Sequence, residues 1–317
     1  MISRADLEVA ERIVRPHVPV TPAYRWPLLE RVTGAPTWVK HENATPTGAF
    51  KVRGGLVFLA RLLDRGPIRG VITATRGNHG QSLAFAARKY DVPVTVVVPE
   101  ENSADKNAAM QGWGAELITY GRDFQEAREH MAQLADERGL LPVPSFHRDL
   151  VAGVATYAAE LHEQAQNIDV IYVPVGQGSG ICANIAIRDL LGRDTEIVGV
   201  GADGAPAHAL SFEAGRPVES PDARTFVDGV ATRVPDADAV EVIVRGAARF
   251  VQVSDEATRD AMRILWCTTH QMPEPAGAIA LAGLLADAAR PKRAVAAVVM
   301  TGGNCDSHLV RSVLSRG

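Results

Sequence analysis

Val94-Thr95-Val96-Val97-Val98-Pro99 is the stretch that settles the fold class. Five β-branched residues in a row leave no polar side for water, so a strand built from them is covered on both faces. The proline closes it, because it has no N–H to give to a ladder. Runs of the same kind flank it. Residues 70–75 (GVITAT) read as a strand followed by a helix over 80–89. Residues 104–111 read as the helix leading to a third strand at 115–120 (AELITY), and a helix over 123–138 follows. Farther along, 170–175 (VIYVPV), 196–200 (EIVGV) and 295–300 (VAAVVM) are strands of the same apolar character. Such strands, separated by helices, specify parallel sheets, so the expected fold class is α/β with two doubly wound parallel-sheet domains. Residues 66–145 are expected to form a small inserted α/β domain, and 1–65 plus 146–317 the large one. Glu100-Glu101-Asn102 and Leu141-Pro142-Val143-Pro144 read as loop punctuation.

Composition excludes several classes of function. A chain of 317 residues with 46% hydrophobic and 22% charged residues has the make-up of a soluble globular protein with ample core. Its formal net charge of -4 gives no reason to expect nucleic acid or an anionic membrane as partner. No apolar run approaches the roughly 20 residues that span a bilayer, and the N-terminus lacks a secretion signal's apolar stretch. Cys182, Cys267 and Cys305 are odd in number and far apart, which suggests neither a disulfide framework nor a zinc site. The expected location is the cytoplasm. Trp26, Trp38, Trp113 and Trp266 read as core or interface anchors.

Chemistry concentrates in four places. In Thr47-Gly48-Ala49-Phe50-Lys51-Val52-Arg53-Gly54-Gly55 a single lysine stands between small residues, an aromatic ring and an arginine. A lysine kept from water loses its proton readily and can form a Schiff base, whereas a solvated lysine at a helix start does neither. Thr75-Arg76-Gly77-Asn78-His79-Gly80-Gln81 follows the first strand; loop N–H groups there suit a carboxylate, and the Asn78 amide suits a phenolic oxygen. Gly176-Gln177-Gly178-Ser179-Gly180 follows the 170–175 strand and offers N–H donors, a hydroxyl and a helix dipole to a phosphate. The same turn also fits dinucleotide spacing, with Ala183 as the third small residue and Asp203 as the ribose acid. Thr301-Gly302-Gly303-Asn304-Cys305-Asp306 places a hydroxyl at the end of a strand, where it can meet a ring nitrogen. An amine, a phosphate cup, an amide for a ring oxygen and a hydroxyl for a ring nitrogen together describe a site for pyridoxal 5′-phosphate. A nucleotide-binding module without catalysis is the alternative from another class, and it leaves the lysine unexplained.

On these motifs the chain resembles the fold-type II, tryptophan synthase beta-like pyridoxal-phosphate enzymes, within them the threonine dehydratase and serine racemase group. The likeness runs from Thr21-Pro22 through Lys40-His41-Glu42-Asn43 and the lysine motif to Asn304, and takes in Asp228-Gly229-Val230 and Glu274-Pro275-Ala276-Gly277-Ala278. On this resemblance a short catabolic form without a regulatory domain is expected. The resemblance implies that Lys51 forms the Schiff base, Phe50 packs beside the pyridine ring and Asn78 bonds the ring hydroxyl. It also implies that Gly176, Gln177, Gly178, Ser179 and Gly180 hold the phosphate, that Thr301 meets the ring nitrogen, and that Gly229 and Glu274 lie against the cofactor. Thr75, Arg76, Gly77, Asn78 and His79 stand where the group holds its amino-acid substrate. The implied reaction is ammonia-lyase chemistry on L-threonine or L-serine, with Lys51 removing the α-proton; the implied assembly is a homo-oligomer, dimer or tetramer.

Three departures qualify the likeness. Arg76 replaces a serine of racemase-competent relatives, and a guanidinium is a poor proton shuttle, so little racemase activity is expected. Arg76 faces solvent, pairs with a nearby acid, or forks onto a substrate carboxylate, which could be the α-carboxylate or the side-chain carboxylate of a substrate such as 3-hydroxyaspartate; phenylserine and other β-substituted amino acids remain open. Gly201-Ala202-Asp203-Gly204-Ala205-Pro206-Ala207 lacks the acids with which metal-binding relatives hold a cation, so no metal is expected. Gln177 and Ser179 stand in a phosphate loop that is mostly glycine elsewhere, yet both can donate. His79 is expected to pack beside the site, Lys51 being the base, and nothing marks Cys305 as an activated thiolate.

Overall fold

The structure, a computed structural model, describes residues 2–122 and 124–315. Among them ten strands occur: β1 (Ala23–Arg25), β2 (Thr37–His41), β3 (Val71–Ala74), β4 (Val94–Val98), β5 (Glu116–Thr119), β6 (Leu141–Pro142), β7 (Val170–Pro174), β8 (Glu196–Ala202), β9 (Arg249–Val253) and β10 (Ala296–Met300). The valine run of β4 lies inside a four-stranded sheet of order β5-β4-β3-β6, parallel throughout and buried along β3 and β4. The larger sheet has the order β1-β2-β10-β7-β8-β9 and is parallel from β2 to β9. Helices cover both sheets, so the fold is α/β with two sheets rich in parallel pairs.

Several expectations need correction. The larger sheet is mixed, because β1 runs antiparallel to β2; β1 is an edge strand with two of its three residues exposed, the usual place for such an addition. Leu141 and Pro142, read as loop, pair with Val71 and Ile72, and the proline is tolerated because β6 is an edge. The 115–120 run shortens to β5, an exposed edge and not a strand covered on both faces. β2 and β9 escaped notice because Lys40 and His41 break the apolar pattern of one and Arg249 and Gln252 that of the other. Asp123, expected to open a helix, lies outside the described residues, and the observed helix is Phe124–Arg138. Trp266 is 40% exposed on the helix Asp255–Thr269 and is no core anchor.

Parallel register is what gathers the loops. Met300 pairs with His41 and β7 lies on the other flank of β10, so the segments after β2, β10 and β7 leave the large sheet at one edge. The helix Lys51–Leu63 packs against both Asn78–Tyr90 from the smaller sheet and Arg148–Gln164 from the larger. The wholly apolar helix Pro275–Ala286 is buried against β7, β8, β9 and β10, which brings Glu274 to the same edge. No helix among the described residues is long and apolar enough to cross a membrane.

Candidate active site

Lys51 is the first residue of the helix Lys51–Leu63, and the backbone before it is tied down. Phe50 N–H donates to Thr301 O (3.0 Å), and Ala49 forms a bridge with Gly302, so the lysine loop and the loop after β10 are one unit. The Lys51 ammonium rests over the Phe50 ring, 5.1 Å from its centroid. Phe50 in turn stands edge-on to buried Tyr157 at 6.0 Å, and Tyr157 accepts from Asn184 Nδ2 (2.7 Å). Burial pushes the Lys51 amine down to about 8, against the opposing pull of Glu274. At pH 7 about a tenth of it is then free base, against less than a thousandth for an ordinary lysine.

Directly behind that turn lies a fully buried ion network. Arg53 forks onto Glu42 (2.8 and 3.0 Å) and onto Glu160 (2.8 and 2.9 Å). Lys40 adds a second cation on Glu160 (2.9 Å) and donates to Thr21 O (2.8 Å). Two buried cations balance two buried carboxylates, with the partly exposed Arg15 3.7 Å from Glu160 at the margin, which is the condition for burying such charges. Thr21, Lys40 and Glu42, noticed in the sequence only as matching segments, are therefore parts of the support under Lys51.

In front of Lys51, three segments meet through side-chain amides and carboxyls. Asn78 Nδ2 donates to Glu274 Oε1 (2.6 Å), and Asn304 Nδ2 donates to Asn78 Oδ1 (2.9 Å) and to Thr47 O (2.8 Å). Glu274 is 1% exposed and its Oε2 has no hydrogen-bond partner; Lys106 Nζ stands 3.9 Å from it and pairs with Asp228 (2.5 Å). Burial pushes the Glu274 carboxyl up to about 7, with Lys106 opposing and Asp228 adding to the rise. Burial opposes the Lys106 charge too, but Glu274 and Asp228 hold its ammonium above the usual value.

The glycine turn after β7 forms a cup. Gly178 has φ +99, where any side chain is strained, and a Cβ there would lie 2.8 Å from that of Ala239. Gly176 approaches Gly229 so closely that a Cβ would be 2.2 Å from its carbonyl oxygen. Ser179 and Gly180 belong to the first turn of the helix Ser179–Leu190 and not to the loop, so its free N–H groups open onto the cup. Ser179 is a buried residue whose hydroxyl makes no hydrogen bond with the described residues, while Gln177 reaches Thr232 (3.5 Å).

Asn78 and His79 likewise lie in the first turn of a helix, Asn78–Tyr90, and not in the preceding loop. Thr75 Oγ1 accepts from Gly77 N–H (3.1 Å), so the first-turn amides, and not Gly77, are the free donors. His79 is buried; burial and the neighbouring Lys51 charge push its imidazole down to about 3, which leaves it neutral. Thr301 is buried and donates to Ala276 O (3.1 Å). Arg76 is exposed and makes no ion pair or hydrogen bond with the described residues, so it stands apart from the others. The sequence reading missed Lys106, Asp228, Arg53, Glu160 and Asn304 as site residues. Arg53, Asp228 and Asn304 stood inside quoted motifs without a role being given to them, whereas Lys106 and Glu160 had no local signal.

Residues 14–302 match a family described as pyridoxal-phosphate dependent enzymes. The L-threonine ammonia-lyase of Thermotoga maritima is 30% identical over 319 residues, covering 100% of this chain and 79% of its own. The catabolic L-threonine dehydratase of Staphylococcus aureus is 32% identical over 324 residues, covering 100% and 93%. Among solved structures, the processed threonine deaminase isoform 2 of Solanum lycopersicum superposes with a TM-score of 0.92 at 25% identity, over 98% of this chain and 91% of that one. The chain belongs to the pyridoxal-phosphate dependent enzyme family.

Proposed function

We propose that this protein is an ammonia-lyase that converts a β-hydroxy amino acid, L-threonine or L-serine in the first instance, to a 2-oxo acid and ammonia. The observation that carries this is Lys51, a desolvated amine without a protein partner, set between a glycine cup and the Asn78–Glu274 pair. The residues present fit pyridoxal phosphate. The cup offers helix N–H groups and the unpartnered Ser179 hydroxyl to a phosphate, Phe50 supplies an apolar face, and the largely desolvated Glu274 can be neutral near neutral pH. When bound, the cofactor supplies an electron sink for the charge left as the α-proton departs.

The chain's own groups do the rest. Lys51 Nζ takes the α-proton, its lowered basicity keeping free base available at neutral pH. The first-turn amides of Asn78–Tyr90 hold the substrate carboxylate, with Thr75 fixing the Gly77 backbone before them. Asn78 would donate to the ring oxygen of the bound cofactor, and Thr301, whose hydroxyl donates to Ala276 O in the structure, would offer it to the ring nitrogen. A neutral hydroxyl would not hold a proton on the ring nitrogen as a carboxylate partner would, so the cofactor would be a weaker electron sink, which suits β-elimination better than transamination. Gly176 through Gly180 hold the phosphate, with Gly229 closing the cup.

Sheet membership supports residues 66–145 as the small domain and 1–65 plus 146–317 as the large one. Leu28 and Val32 (each 46% exposed) and Trp266 (40%), on helices that pack together, support a homo-oligomer; three free cysteines suit a reducing cytoplasm.

The test is 2-oxo acid release from a panel holding both enantiomers of threonine and serine, threo-3-hydroxyaspartate and 3-phenylserine. Release chiefly from L-threonine or L-serine supports the proposal. Release chiefly from hydroxyaspartate assigns Arg76 to a distal carboxylate, and no release from yellow protein removes the reaction. The cup has its own check. Gly178→Ala puts a side chain at φ +99 and is expected to weaken cofactor binding about tenfold or more, read by fluorescence titration of the apoprotein.

A further inference from the structure

The Asn78 carboxamide has two ends of similar shape and opposite polarity, and which end faces the reacting centre is decided away from that centre. Thr47 O is a backbone carbonyl and can only accept. The Asn304 atom 2.8 Å from it is therefore Nδ2, since an oxygen there would set two acceptors against each other. The same Nδ2 lies 2.9 Å from Asn78, so the Asn78 atom facing it is Oδ1. Both Asn304 protons are then committed. Asn78 Nδ2 is left on the opposite side, 2.6 Å from Glu274 Oε1, with one proton to give there and one still free. Glu274 can accept on Oε1 in either protonation state, because a proton it takes up can be carried on Oε2, which has no hydrogen-bond partner. Direction thus runs from the Thr47 carbonyl through Asn304 to Asn78 and Glu274 without ambiguity.

We propose that Asn304 is a positioning residue that fixes Asn78 as a donor, and never an acceptor, toward the cofactor's ring oxygen. This rests on the proposed placement of pyridoxal phosphate at Lys51. A donor at that position favours the ring oxygen without its proton, whereas a flipped amide presents Oδ1 and favours the protonated ring hydroxyl. The two forms absorb at longer and shorter wavelength, so the polarity of one amide is visible in the holoenzyme's spectrum.

The experiment compares holoenzyme spectra of the parent, Asn304→Asp, Asn304→Ala, Asn78→Ala and the Asn78→Ala/Asn304→Ala pair. In Asn304→Asp the new carboxylate is close in shape to the amide but only accepts, and it should invert Asn78. The expected result is a severalfold fall in the ratio of long- to short-wavelength bands at neutral pH and a smaller fall for Asn304→Ala. In the Asn78→Ala background, Asn304→Ala should then change nothing further, because its effect passes through Asn78. Parent-like spectra in both single Asn304 variants overturn the proposal, as does a full Asn304→Ala effect persisting without Asn78. Should Asn304→Asp fail to fold, the alanine variants and the double-mutant comparison decide alone. A parent that stays colourless with added cofactor, or a Lys51→Ala variant that still holds it covalently, overturns the placement at Lys51 and this proposal with it. Covalent attachment at Lys51 with unchanged Asn304 spectra overturns only the role of Asn304.

Discussion

Lys51→Ala is expected to yield a folded protein that takes up pyridoxal phosphate reversibly and releases 2-oxo acid about a thousandfold more slowly or worse. The fold should survive because Lys51 Nζ has no ion pair or hydrogen bond with the described residues and only rests over Phe50, while the backbone of its loop is held by Thr301 and Gly302. Activity should not survive, because the variant loses the covalent anchor and the base that takes the α-proton, and positioned bases contribute about 10²–10⁴-fold on their own. Lys51→Arg should not restore it, since a guanidinium stays protonated at any working pH. The parent carries a matching pH signature. With the amine pushed down to about 8 by burial, its free-base fraction climbs about tenfold between pH 7 and pH 9 and then levels off. Covalent capture of the cofactor by apoprotein, trapped by reduction and read by mass, should follow that curve. A rate still climbing through pH 10 would mean a solvated amine, and retention of covalent cofactor in Lys51→Ala would mean that another residue attaches it.

Legibility in the sequence divided along one physical line. What depends on local chemistry could be read: a lysine among small residues, glycine turns after strands, and valine runs that can only be buried. Asn78 and Glu274 were both picked out, but their hydrogen bond joins positions 196 residues apart and no local pattern announces it. Lys106 reads as an ordinary helical lysine until folding sets it against Asp228, 122 residues away. The strand β2 was missed for a related reason. Lys40 and His41 make it look like a polar loop, and only the folded neighbourhood, with Glu42, the Thr21 carbonyl and Glu160 far along the chain, makes the burial of Lys40 tolerable. Expectation and structure part where charges are buried, because a buried charge is intelligible only together with its partner.

That same network supports the second large effect. Arg53→Met keeps most of the side-chain volume but leaves Glu42 and Glu160 buried with Lys40 as their remaining buried cation and only the partly exposed Arg15, 3.7 Å from Glu160, besides. Breaking a buried pair by removing one partner costs about 3–5 kcal/mol, most of it the penalty of the charge left behind. A clear drop in the urea midpoint at pH 7.5 is expected, and holoenzyme should fall with it, since Arg53 lies two residues beyond Lys51 on the same helix. The pH dependence separates a charge effect from a packing effect. In the parent, burial pushes Glu160 up but Arg53 and Lys40 outweigh it and hold its carboxyl below the usual range. That stability is present above the unfolded value and lost only as pH falls through the lower folded one. Without Arg53 the burial penalty prevails and the carboxyl rises, so the folded variant binds protons more readily than its unfolded chain. Its deficit against the parent should therefore shrink as pH falls toward about 5 and carboxylates are neutralised. A deficit that stays constant with pH would assign the loss to packing around the arginine stem. The turn bearing Lys51 would then be held by shape, and the four charges beneath it would be a cost the fold tolerates and not a device that stabilises it.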